Sequence, residues 1–103
     1  MTEAAAEAER SAVDVATLVT ADRRRLLASP TASAAAFRLF DLLPMIPRFT
    51  VETARQRLST SFPTANAAVK LLMELGIVME MTGQQRNRTF GYQSYIELLA
   101  RAG

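Results

Sequence analysis

The chain has no cysteine and no histidine. Without cysteine there is no disulfide frame and no thiolate metal site, and without histidine the commonest metal ligand and the commonest general base are missing as well. The acids of the C-terminal half, Glu52, Glu74, Glu80 and Glu97, are scattered. No pair of them has a spacing that suggests a shared acid–base site, so an enzyme is not expected and no cofactor is implied. No apolar run approaches the length of a membrane span, and no short apolar segment follows a basic start as in a signal peptide. The expectation is a cytoplasmic protein with no membrane partner.

What is present describes a single module. At 103 residues, half of them hydrophobic and 21% charged, the chain suits one globular domain and is too short for a catalytic domain with a regulatory one. The formal charge is only +2, but it is unevenly placed. From Arg48 onward the bases Arg48, Arg55, Arg57, Lys70, Arg86, Arg88 and Arg101 outnumber the four acids, whereas the first 47 residues are slightly acidic. The positive charge belongs to the C-terminal half.

Residues 1–30 read as one long helix. They are rich in alanine, with Glu3, Glu7 and Glu9 at the start and Arg23, Arg24 and Arg25 near the end, an order that suits the helix dipole. Val15, Leu18, Val19, Asp22 and Leu26 form an apolar stripe with one interruption, at Asp22. Pro30 stops the helix. The remainder, 31–103, reads as helices at about 33–43, 51–58 and 62–75, a hairpin over about 77–92 and a short helix at about 94–100. Pro44 and Pro47 force an extended connection, Thr50 is an N-cap, and Gly76 stands where a left-handed C-cap is common. Ile77–Thr82 and Arg88–Tyr92 read as the two strands of the hairpin.

Two short helices joined by a tight turn and followed by a polar-tipped hairpin give the order of a winged helix-turn-helix, mainly α with a small β-wing. On a wheel of 100° per residue, Ala65, Ala68, Leu71, Leu72 and Leu75 of the helix at 62–75 gather on one side, to pack on the two helices before it. Pro63, Asn66, Ala67, Lys70, Met73 and Glu74 gather on the other. A helix entering a major groove needs small residues at its N-terminal end and no carboxylate near phosphates, and here the first acid is Glu74. Asn66 is the candidate base reader, because a side-chain amide pairs bidentately with adenine. Ser59, Ser61, Thr64 and Lys70 are candidate phosphate contacts, Thr64 being placed toward the buried side. Ser61 is also the expected N-cap, with Pro63 in the first turn and free N–H groups forming a seat for a phosphate. The wing tip "GQQRNR" adds Gln84, Gln85, Arg86 and Arg88 along a backbone or in a minor groove.

Taken singly these features have plainer readings: a cap and turn for Ser59 and Ser61, a solvated amide for Asn66, solubilising charges for Arg86 and Arg88. Only their joint order points to double-stranded DNA. The stretch "RFTVETARQRLSTSFPTANAAVKLLMELGIVMEMTGQQRNRTFGYQSYIELL" resembles the C-terminal winged-helix segment of Fic-family proteins and the bacterial helix-turn-helix regulators that share it. In those proteins a long helix with a basic end precedes the motif, as "ADRRRLLAS" does here. The turn departs from the pattern, with Ser59-Thr60 where related motifs often carry Gly and an apolar residue. Fic catalysis requires a His-Pro motif and a Gly-Asn-Gly-Arg loop, neither of which this chain contains. The resemblance therefore implies an accessory DNA-binding domain or transcriptional regulator, with a Fic catalytic domain as a partner in a parent protein. The rival expectation is a protein-interaction module without DNA binding, in which the first helix and the last, with Tyr95 and Leu98, form a homodimer seam.

Overall fold

The computed structural model describes residues 2–82 and 88–102. They form helices α1 (Thr2–Ala28), α2 (Ala34–Leu42), α3 (Val51–Leu58), α4 (Phe62–Glu74) and α5 (Gln93–Ala102), with strands β1 (Arg48–Thr50), β2 (Met79–Glu80) and β3 (Thr89–Gly91). The chain is mainly helical with a three-stranded antiparallel sheet in the order β1-β3-β2. No helix among the described residues is long and apolar enough to cross a membrane.

Each helix from α2 to α4 is bounded by a side chain that satisfies its first free N–H groups. Ser33 Oγ accepts from Ala36 N at 3.1 Å, Thr50 Oγ1 from Thr53 N at 3.1 Å, and Ser61 Oγ from Thr64 N at 3.3 Å. The buried stripe of α4, formed by Ala65, Ala68, Val69, Leu71 and Leu72, packs on α2 and α3. Leu39, Phe40, Leu43, Ala54 and Leu58 meet it from those helices and complete the core. Burying one such leucine stabilises the fold by about 1.5–3 kcal/mol.

The hairpin strands are shorter than their sequence suggests. Ile77 and Val78 are buried, but their amides return to Leu72 O at 2.9 and 3.3 Å and so belong to the cap of α4, not to a ladder. Pairing begins only at Met79, opposite Gly91. The sheet gains its third strand from the segment after Pro47: Phe49 pairs with Phe90, and their rings stack 6.1 Å apart. A Cβ on Gly91 would meet the Met81 side chain, which would have to shift to make room.

The interruption at Asp22 proves to be the anchor of α1. Asp22 is 4% exposed, and its Oδ2 accepts a hydrogen bond of 2.6 Å from the buried Tyr92 Oη, seventy positions away. The Tyr92 ring lies 5.6 Å from Tyr95 and 6.3 Å from Phe40, and its N–H donates to Pro47 O at 2.8 Å. One residue thus joins α1, α2, α5 and the strand connection. The arginines after Asp22 strengthen the same seam: Arg23 pairs with Asp41 and lies over the Phe40 ring, and Arg25 reaches Leu75 O at 3.4 Å. They act as tertiary contacts as well as dipole partners. α5 packs along α1, with Tyr95 and Leu98 half-buried and Leu99 left exposed.

Burial first, then the hydrogen bond to Asp22, pushes the Tyr92 phenol well above its ordinary value. The folded state therefore holds this proton more tightly than the unfolded chain, so the contribution is complete below pH of about 10 and declines as pH rises beyond it, by about 1.4 kcal/mol per unit. In a Tyr95→Phe background, whose one tyrosine is Tyr92, absorbance at 295 nm should report ionisation only together with loss of helical circular dichroism. Tyr92→Phe should cost about 1.5–3 kcal/mol in urea unfolding at neutral pH, because it removes the one hydrogen bond within 3 Å to a buried acid that Arg25 approaches only to 3.7 Å.

Candidate nucleic-acid interface

Two turns of the same design place α4. At the end of α3, Ser59 takes the left-handed conformation, with φ of 52°. Its N–H donates to Gln56 O and that of Thr60 to Arg55 O, both at 3.2 Å. At the end of α4, Gly76 has φ of 75°, its N–H donates to Met73 O at 3.0 Å, and that of Ile77 to Leu72 O at 2.9 Å. Both follow the pattern in which a left-handed residue lets two amides close onto the last free carbonyls of the helix. Glycine accepts this conformation freely, whereas serine carries a Cβ against the following carbonyl. Arg38 of α2 supports the first turn, donating to Leu58 O at 2.9 Å.

Beyond that turn, Ser61 caps α4 and donates a hydrogen bond of 2.9 Å to Thr64 Oγ1. Thr64 is consequently exposed and aligned with the cap, which corrects its expected place toward the buried side. The expected seat of free amides is also reduced. Pro63 has none, Thr64 N is taken by Ser61 Oγ and Ala65 N by Ser61 O, which leaves the Phe62 N–H among the described residues. Along the outer face Ala67 and Lys70 are exposed and Asn66 is half-buried, and the first acid is Glu74 in the last turn. Phe62, half exposed at 51%, is the one large apolar group at the approach end of this face.

Of the expected residues, the structure brings Ser59, Ser61, Thr64, Asn66 and Lys70 together on α4 and the turn that enters it. Gln84, Gln85 and Arg86 lie outside the described residues. Arg88 is exposed but engaged: its Nε donates to Glu80 Oε1 at 2.7 Å, and its guanidinium lies 5.5 Å from the centre of the Phe90 ring. The register explains the pair. Glu80 stands opposite Phe90, which makes Arg88 its diagonal neighbour across the hairpin. A hairpin drawn from the sequence with this register reveals that neutralisation. Arg38, by contrast, carries no sequence signal, since its role depends on how α2 packs on α3.

On α3, Arg55 is also held, with its Nε 2.9 Å from Glu52 Oε2; this bond lowers the Glu52 carboxyl below its ordinary value and raises the Arg55 guanidinium. Arg48, Arg57 and Lys70 are exposed and make no ion pair among the described residues, so they are open to a partner. No family model and no curated protein sequence matches the chain.

Because Ser59 holds a conformation that costs a residue with a Cβ about 1 kcal/mol, Ser59→Gly should raise the urea midpoint, and Gly76→Ala should lower it by a similar energy. A fall in stability for Ser59→Gly would show that the serine side chain supports the turn.

Proposed function

We propose that the chain is a DNA-binding winged helix-turn-helix module, serving as a transcriptional regulator or as the accessory domain of a Fic-type protein. The order α2, β1, α3, α4, β2, β3, with β1 beside β3, suits that fold. The observation that carries the reading is the outer face of α4. Past Phe62 its approach end is small and uncharged, with Thr64, Asn66 and Ala67 ahead of Lys70, and no carboxylate stands on α4 before Glu74. In this reading Asn66 meets a base edge, Ser59, Ser61, Thr64 and Lys70 meet phosphates, and the wing with Gln84, Gln85, Arg86 and Arg88 lies along the backbone.

A protein-docking module is the second reading. Phe62 and Met79, each 51% exposed, and Met45 at 73% favour it, because apolar groups at such positions suit a protein surface better than a phosphate backbone.

Titration of labelled duplex, repeated at several salt concentrations, separates the two. For the DNA module, log K falls linearly with log salt, and Lys70→Ala weakens all duplexes alike and reduces the slope by about one. Arg86→Glu with Arg88→Glu also weakens all duplexes. Glu80→Gln, which releases Arg88, strengthens them, and Asn66→Ala flattens the preference among sequences. Absence of binding at the lowest salt, or equal affinity of wild type and the double arginine variant, would refute the DNA reading.

A further inference from the structure

The side of α1 that faces away from the core carries a second stripe. Val13, Thr17, Thr20, Arg24 and Leu27 follow one another at steps of four, three, four and three residues, the spacing of a helix seam. Val13 and Leu27 are 63% and 64% exposed. With Ala16 and Ala21 beside them, Val13, Thr17, Thr20 and Arg24 line an open groove of about 390 Å³. Arg24 is also the member of the arginine run that the fold does not use. Arg23 is held by Asp41 and Arg25 by Leu75 O, whereas Arg24 has no partner among the described residues.

We propose that this face of α1 pairs with α1 of a second copy of the chain, in antiparallel orientation. The charge order of the helix selects both occupant and direction. Its first half is acidic on balance, with Glu3, Glu7, Glu9 and Asp14 against Arg10, and Arg23, Arg24 and Arg25 stand at its end; a parallel pair sets the three arginines level with one another, whereas an antiparallel pair brings them beside Asp14. Antiparallel helices also bring each macrodipole end beside its opposite. With Thr17 level with Thr20 of the second copy, Val13 meets the stem of Arg24, and Asp14 lies one residue, about 1.5 Å of rise, from that arginine's level. The small residues at the centre permit close approach of the two backbones. The seam is narrow and only partly apolar, which points to a weak, concentration-dependent dimer rather than an obligate one.

The pairing is independent of DNA binding and is tested without nucleic acid. In sedimentation equilibrium over a wide concentration range, the wild type should move from monomer to dimer. Thr17→Glu with Thr20→Glu, both at exposed positions, should remain monomeric with unchanged circular dichroism. The chain has no cysteine, so direction is read by cross-linking. An equimolar mixture of Thr17→Cys and Thr20→Cys proteins should yield the mixed disulfide well beyond the roughly twofold excess over either homodimer that random pairing gives. A wild type that stays monomeric throughout, a dimer that survives the double glutamate variant, or a predominance of homodimeric disulfides would overturn the proposal.

Discussion

The hydrogen bond from Tyr92 to Asp22 is the constraint on which the arrangement of the chain depends. It is short, buried and formed between residues that only the completed fold brings together. A carboxylate in an apolar stripe is costly unless donors meet it; Arg25 of the same helix lies 3.7 Å from Asp22 Oδ1, and seating α1 against Tyr92 supplies the hydrogen bond to Oδ2. Tyr92 can supply that donor only when β3 is paired and α5 begins where it does, since its N–H is held by Pro47 O and its C=O by Ile96 N. The apolar core fills the volume; this polar pair sets the alignment of its elements.

The placement of α4 follows from the same economy of contacts. Its inward face is committed to α2 and α3, and its two ends are fixed by left-handed turns at Ser59 and Gly76. The outer face is thereby held in place, with Met73 near its end packing against the core and Ala67 and Lys70 left exposed, which suits a recognition surface on a small scaffold. Charge is a modest resource here. Arg23, Arg25, Arg38, Arg55 and Arg88 are all spent on internal partners, and the net charge is small. In the DNA reading, shape and hydrogen bonding at α4 must therefore carry a larger share than a basic field.

The local features of the fold were legible and the non-local ones were not. Thr50, Ser61 and Gly76 act at the helix ends their positions suggest, because caps and left-handed turns depend on a few neighbouring residues. Strand extents depart from the alternation where a helix cap competes with the ladder: Ile77–Thr82 alternates, but the amides of Ile77 and Val78 are claimed by Leu72. β1 follows directly on Pro47, in a stretch whose extended form is plain but whose partner is about forty residues away. Asp22 looked like a flaw in a stripe because its donor lies at position 92, and Arg88 looked free because Glu80 stands just outside the wing tip. A side-chain pair of high sequence separation such as Asp22–Tyr92 leaves no periodic trace, whereas the Glu80–Arg88 pair follows once the hairpin register is drawn.

In the proposed DNA module, the outer face of α4 and the wing serve as one surface for duplex DNA. Backbone chemical-shift mapping of the isotope-labelled chain with a mixed-sequence duplex tests it most directly. Such a surface predicts perturbations concentrated at residues 59–70 and 82–89, with α1 unchanged. Perturbations absent at low salt, or confined to α1 and α5, would contradict it.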